Sequence, residues 1–414
     1  MLEQIEGSLG VAKAVALCRP GVVCAYPISP QTHIVENVGK FVKNGTLKDC
    51  DFLNVESEFS AISVAIGSEV GGARTYTATA SQGLLYMTEG VYSASGLGLP
   101  IVMTVASRAI GGPINIWNDH SDSLSQRDSG WLQLFCESNQ DAVDTHIMAF
   151  KIAEEVGLPV MVCMDGFVLT HAFERLDIPS QETVDKFLPE YQPREYLTPK
   201  EPVSIGAMVG PEAFTEVRFL QQRKMAKALK VIEKVTKEYR DLTGSKSGGL
   251  LDCYNCENAD LKLVIMGSTV GTAKDEIDRL KSEGINVGII SLKSFRPFPY
   301  EAMAKAIGDT KKVICLERAF SFGARGIVCP EVKRAMEGKN CDVKTVVAGL
   351  GGRPIFGTTI RGIVKDALAD KFTEEFTWFD VNADVLNNYT DKTEGVTFKN
   401  GPIAQSVLEN SVKD

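Results

Sequence analysis

Continuous apolar runs and amphipathic stretches alternate along this chain almost from end to end. Gly21-Val-Val-Cys-Ala-Tyr26, Leu99-Pro-Ile-Val-Met-Thr-Val-Ala106 and Leu158-Pro-Val-Met-Val-Cys-Met-Asp165 are apolar on successive residues, the pattern of strands covered on both faces. Helical spacing recurs between them, over 10–19, 32–41 and 139–156, and at Ala61, Ile62, Ala65 and Ile66. Asp51 to Val55 predicts a short strand that leads into two carboxylates, Glu56 and Glu58. Gly71 and Gly72 stop the helix that follows, and Thr75-Tyr76-Thr77 is β-prone. Ser81-Gln82-Gly83 then turns the chain into a second helix, Leu84 to Ala94, rich in small residues. A helix with Ala, Ser and Gly on several faces expects another backbone to press close on it.

A long polar loop is predicted to begin at Ser107-Arg108 and to carry 113–120 and Arg127-Asp128 before the 139–156 helix. Residues 175–211 lose the rhythm and gain prolines, as an excursion over the surface or onto a partner would. Glu212 to Leu242 predicts a long charged helix, and Thr243-Gly-Ser-Lys-Ser-Gly-Gly249 has linker composition. The alternation then resumes. Strands are predicted at 262–266, 287–292, 313–316 and 345–348, with helices at 272–284, 300–307 and 329–336. From Asp370 the sequence turns irregular and polar, as a wrapping tail would. The whole pattern predicts two α/β units built on mostly parallel sheets, which suits a chain of 414 residues.

Composition narrows the class. An apolar fraction of 44% and a charged fraction of 23% are those of a globular protein, and a net charge of −9 excludes a nucleic-acid surface. No apolar run reaches the length of a membrane span, and the acidic start Met1-Leu2-Glu3-Gln4-Ile5-Glu6 is not a signal peptide, so a cytoplasmic protein is expected. The ten cysteines are scattered, mostly in apolar strands and helices, as reduced core thiols are. Cys253 and Cys256 have CxxC spacing, but a metal or cluster site needs further ligands and there is no second such pair.

Parallel sheets collect ligands at the carboxyl ends of their strands. Ser29, Glu56, Glu58, Ser81 and Arg108 all follow predicted strands, which places Ser29, Glu58 and Arg108 on one rim. Glu58, in the first turn of a helix, either complements the helix dipole or is a buried glutamate set to protonate a heterocycle nitrogen. Arg108 is either a planar fork for a carboxylate or a loop salt bridge. Ser29 reads as a turn residue between two prolines. Asp119 and His120 read as a structural hydrogen-bonded pair rather than a catalytic dyad. Gly267-Ser-Thr-Val-Gly-Thr272 lacks the Gly-Lys-Ser/Thr ending of a phosphate loop and reads as a tight strand-to-helix turn. There is no Gly-Asp-Gly followed by an Asn-rich segment.

Taken together, YPISPQT (26–32), ESEFSAISVAIGSEVGGARTYTATASQGLLYMTE (56–89), LPIVMTVASRA (99–109), PINIWNDHSDS (113–123), LPVMVCMDGFVLTH (158–171) and FRPFP (295–299) resemble the α subunit of 2-oxoacid:ferredoxin oxidoreductases, closest to the pyruvate type. The resemblance runs from about residue 5 to 370. It implies a pyrimidine-side thiamine-diphosphate domain over 1–235, a linker over 236–254, a smaller transketolase-C-terminal-like α/β domain over 255–370 and a tail over 371–414. It implies a partner β subunit that carries the diphosphate and Mg²⁺, γ and δ (ferredoxin-like) subunits that carry [4Fe–4S] clusters, and pyruvate, CoA and ferredoxin as reactants. Carried over by motif, Glu58 bonds the aminopyrimidine, Arg108 takes the substrate carboxylate, Ser29 also faces substrate, and Tyr26 and Ile28 shape the cofactor pocket. Ser29 stands where many members have Thr, which bears on the size of 2-oxo acid accepted. Another acid of this class (2-oxoisovalerate, 2-oxoglutarate or oxalate) is the alternative substrate.

Overall fold

The computed structural model describes residues 2–386 and position 407. Its strands are β1 (Leu2–Glu6), β2 (Val22–Ala25), β3 (Asp51–Asn54), β4 (Thr75–Thr79), β5 (Val102–Ser107), β6 (Leu132–Phe135), β7 (Val160–Asp165) and β8 (Phe173–Asp177) in the first half. The second half adds β9 (Leu251–Tyr254), β10 (Leu261–Ile265), β11 (Val287–Leu292), β12 (Ser294–Arg296), β13 (Lys312–Glu317), β14 (Asp342–Val347) and β15 (Phe376–Trp378). Seven of them form one sheet in the order β12-β6-β7-β5-β4-β2-β3, and six form another in the order β15-β14-β13-β10-β11-β9. All neighbours are parallel except the edge pairs β12–β6 and β11–β9. The architecture is the expected pair of parallel α/β sheets. The central strands β4, β5 and β7 are buried at every residue, as their unbroken apolar or small-residue runs require.

Helix ends follow local chemistry. Ser138 caps the Asn139–Val156 helix by accepting from the Asp141 amide, and Gly157, at φ +68°, ends it. Ser57 caps the Glu58–Val70 helix in the same way. The small-residue helix predicted over 84–94 is two, Ser81–Tyr86 and Thr88–Leu97. The Thr88 hydroxyl donates to the Leu85 carbonyl at 2.6 Å, a side-chain bond that competes with the regular ladder at the break. Tyr86, Glu89, Tyr92, Ser93 and Gly96 lie on the exposed side of this pair.

Three stretches differ from the pattern reading. The predicted loop after Ser107 contains β6, whose four residues are too few to announce a strand but are all buried. Its outer neighbour β12 comes from beyond residue 290, so the second half of the chain completes the first sheet. Residues 236–254 hold the end of the Phe214–Thr243 helix, a bonded turn and β9. That turn is tied down: the Ser245 and Ser247 hydroxyls each donate to Asp144 at 2.7 Å, and the Gly248 amide donates to Asp141 at 3.0 Å. Most of the predicted tail, 387–406 and 408–414, lies outside the described residues, while β15 extends the second sheet beyond 370.

Part of the 175–211 excursion packs on its own chain. β8 pairs with β1, and the Tyr191 hydroxyl donates to buried Glu69. Burial pushes the Glu69 carboxyl up to about 8, with the Tyr191 bond opposing. An acid raised in the folded state contributes stability below its unfolded value near 4.5 and loses it as pH rises through about 8. Glu69→Gln should therefore flatten the fall in Tm between about pH 4.5 and about pH 8. Thermal unfolding of both proteins across that range checks this, and parallel curves would remove Glu69 as the titrating group.

Candidate active site

The carboxyl ends of β2, β3, β4 and β5 open onto one rim. From β3 the chain enters the Glu58 helix, and its two carboxylates part company there. Glu56 is exposed and takes the Ser60 hydroxyl. Glu58 turns inward and is 8% exposed. Its floor is Gly83, at the start of the next helix pair. A Cβ at Gly83 would lie 2.6 Å from the Glu58 Oε1 and 2.6 Å from the Thr79 Oγ1, so only glycine leaves these two oxygens side by side. Among the described residues the Glu58 carboxylate has no hydrogen-bond or ion-pair partner, and the buried Thr79 hydroxyl has none either.

Asp122 holds the rim together. Fully buried, it accepts from the Ser81 amide (2.9 Å), the Arg108 amide (2.9 Å) and the Ser123 amide (2.6 Å). One carboxylate thereby fixes the first residue of the turn after β4 and the first residue after β5. Burial pushes its pKa up to about 6; the three amides pull the other way, and Asp119 adds to the rise. Gln31 makes the matching link on the other side, where its amide donates to Ala78 (2.7 Å) and Tyr26 (3.2 Å) carbonyls and leaves Oε1 buried without a partner.

Arg108 is 6% exposed and is not a surface salt bridge. Its Nη1 donates to the Ser29 carbonyl at 2.9 Å and its Nε to the Asn115 carbonyl at 3.2 Å. Burial draws its pKa below the usual value, with Asp122 opposing. Two backbone carbonyls thus orient the fork without neutralising it. The structure brings Arg108 and Ser29 together, with the Ser29 side chain exposed beside Tyr26 (38% exposed) and half-buried Ile28.

The loop between Arg108 and His120 rests on the second unit. The Asn115 amide donates to Gly351 O (3.1 Å), and the Gly351 amide donates to Asp119 (3.0 Å). Gly352, at φ +80°, makes room for Trp117: a Cβ there would lie 2.3 Å from the Trp117 Cβ and 2.9 Å from its ring Cγ. His120 pairs with Asp165 (2.8 Å) and not with Asp119, which caps Ser121. Asp165 also receives Arg318 (2.9 Å) and the Ser268 amide (2.9 Å). The turn at 267–272 is therefore a structural turn that docks the second sheet on the first. The residues that pattern reading passed over are Asp122, Gly83, Thr79 and Gln31. Asp122 sat in plain view beside His120, yet nothing periodic marks a carboxylate that gathers amides from two distant segments.

With the geometry in place, comparison with known proteins is informative. Residues 13–237 match the pyruvate flavodoxin/ferredoxin oxidoreductase thiamine-diphosphate-binding family, and 259–360 match the pyruvate:ferredoxin oxidoreductase core domain II. The chain belongs to the pyruvate flavodoxin/ferredoxin oxidoreductase family. Within it, the chain is 44% identical over 367 residues to the pyruvate synthase subunit PorA of Methanosarcina barkeri, covering 87% of this chain and 91% of that one. It is 38% identical to the ketoisovalerate oxidoreductase subunit VorA of Pyrococcus horikoshii, over 91% of this chain and 97% of that one. The fold matches a 2-oxoglutarate:ferredoxin oxidoreductase from Magnetococcus marinus at a TM-score of 0.68 and 21% identity. That match covers 89% of this chain and 65% of the longer one. No described helix is long and apolar enough to cross a membrane.

Proposed function

We propose that this chain is the pyrimidine-side subunit of a multi-subunit enzyme that releases CO₂ from pyruvate, forms acetyl-CoA and passes the electrons to ferredoxin, and that also runs in reverse. The observation that carries the reading is the Glu58 carboxylate: inward-facing, uncommitted to any protein partner and seated over Gly83 on the rim that holds Arg108. The rim suits thiamine diphosphate, since Thr79 Oγ1, near the Glu58 carboxylate at Gly83, and Gln31 Oε1 are buried polar atoms without partners. When bound, that cofactor supplies the carbanion that attacks the 2-oxo carbon and the electron sink for CO₂ release.

Glu58 holds a proton at the pyrimidine ring nitrogen. Arg108 binds the substrate carboxylate with the part of its fork that Ser29 and Asn115 do not occupy, and those two carbonyls keep it aimed. Ser29, Tyr26 and Ile28 border the same space. Asp122 touches no reactant and acts by positioning Ser81 and Arg108. Arg108→Ala should weaken pyruvate capture by about 1.5–3 kcal/mol, the range for hydrogen bonds to charged groups. Initial-rate kinetics should show KM raised by roughly ten- to a hundredfold; an unchanged KM would take Arg108 out of the substrate site.

The partners follow from the half-site. A β subunit would bring the diphosphate and its Mg²⁺, and the exposed face Tyr86, Glu89, Tyr92, Ser93 and Gly96 is suited to receive it, because it offers two exposed tyrosines to bury beside the small Ser93 and Gly96. Ferredoxin-like γ and δ subunits would carry the [4Fe–4S] clusters. The acidic composition and the reduced cysteines support a cytoplasmic location. A second reading, the same chemistry on 2-oxoisovalerate, is favoured by the likeness to the ketoisovalerate subunit. Anaerobic isolation through a tag on this chain tests the assembly. The expected complex contains thiamine, iron and at least one further subunit; this chain recovered alone, without thiamine, would contradict it.

A further inference from the structure

Eight of the ten cysteines are buried or half-buried and serve as packing; Cys253 is exposed and Cys256 is its neighbour in a built turn. Asn255 between them adopts φ +51°, and its side-chain amide donates to the Asn286 side chain (3.0 Å) and the Val287 carbonyl (2.8 Å). Lys281 donates to the same side chain at 2.6 Å. Gly288 makes room for Cys256: a Cβ there would lie 2.9 Å from the Cys256 Cα and 3.0 Å from its Sγ. The Cys256 thiol donates to the Ile289 carbonyl at 3.1 Å, and both thiols border a cleft of about 790 Å³ that Lys262, Arg240 and Lys305 also line.

We propose that Cys253 and Cys256 form a redox-active dithiol that closes to an intramolecular disulfide by exchange with an external disulfide. The chemistry at each sulfur differs. The Cys253 thiol is drawn down to about 7, chiefly by the neighbouring Cys256 thiol, with partial burial opposing and Lys262 assisting. The Cys256 thiol is pushed up by the same neighbour and by burial. Cys253 is thus the attacking thiolate and Cys256 the resolving thiol. The Cys253 thiolate attacks one sulfur of the external disulfide and expels a thiolate. Cys256, giving its proton to the solvent, then attacks the Cys253 sulfur of the mixed disulfide and expels the second thiolate. The dithiol loses two electrons and two protons, and the external disulfide becomes two thiols. Cys315 and Cys329 are also neighbouring thiols, but both are buried and no external disulfide reaches them. They serve as an internal control. A metal site is not what the geometry offers, since among the described residues the only His, Cys and carboxylate group with metal-ligand spacing is Glu6, His33 and His171.

The test equilibrates the assembled complex, under argon, in mixtures of reduced and oxidised glutathione, then traps thiols with N-ethylmaleimide and maps the peptides. The expected result is one peptide that passes from doubly alkylated to unalkylated and two hydrogens lighter through a single midpoint. Cys315 and Cys329 should stay reduced throughout. Cys256→Ser should stop the reaction at a glutathione adduct on Cys253, and should slow Cys253 alkylation near neutral pH by about tenfold as its thiol returns toward the ordinary range. Full alkylation of both cysteines at every ratio would overturn the proposal. So would linkage of Cys253 to any other cysteine, or stoichiometric zinc release on alkylation.

Discussion

Glu58→Gln should lower turnover of the assembled enzyme by about 10²- to 10⁴-fold, the span expected for removing a general acid–base group. The amide has the shape of the carboxylate and the same seat over Gly83, so packing is not at issue. What it lacks is a carboxyl proton to share with a ring nitrogen. The variant should therefore keep its subunits and its thiamine content while losing rate, and apparent KM for pyruvate should move little beside kcat. Steady-state assay with thiamine quantification separates these outcomes. A rate within severalfold of the parent would remove Glu58 from the chemistry, and loss of thiamine with a parallel loss of subunits would give it a structural role.

Arg318→Ala should destabilise the protein by about 3–5 kcal/mol, the cost of stranding one member of a buried ion pair. Asp165 is 2% exposed, and burial opposes its ionisation. His120 and Arg318 outweigh that and hold its pKa well below the usual carboxylate range, with Ser268 adding a hydrogen bond. A depressed carboxylate contributes stability that is present above its unfolded value, about 3.9, and is lost as pH falls toward the folded one. Without Arg318 the folded value rises, so acid unfolding should begin at higher pH than in the parent. Arg318 also donates to the Asn118 carbonyl at 3.0 Å, and its own carbonyl accepts the His120 amide at 2.9 Å. Loosening it should loosen the loop that carries Asn115 and so Arg108. Thermal unfolding across acidic pH is the check. A loss under about 1 kcal/mol would mean that water or His120 alone satisfies Asp165.

Most elements were legible because strands covered on both faces and helices at 3.6-residue spacing write themselves into the order of apolar residues. The Asn139–Val156 helix was read with both ends correct, since Ser138 and Gly157 mark them. β6 and β12 were not legible: each is short, and their pairing depends on residues some 160 positions apart meeting at a sheet edge. The same limit applied at the site. Its rim could be drawn from strand ends, and Arg108 and Ser29 do meet there. Asp122 escaped because its role is to gather amides from residues 81, 108 and 123, a relation of tertiary structure that no local pattern carries. Whether Glu58 or Glu56 faced inward was likewise undecided until the Ser57 cap set the first turn of the helix.

On this account, the rim of Glu58 and Arg108 serves oxidative decarboxylation of pyruvate. The most direct measurement is CoA-dependent reduction of a viologen dye by the complex isolated anaerobically on this chain, against pyruvate, 2-oxoisovalerate, 2-oxoglutarate and oxalate in parallel. The account predicts reduction with pyruvate well above the other acids and none without CoA. Reduction with no acid of the panel, in a complex that retains thiamine and iron, would contradict it.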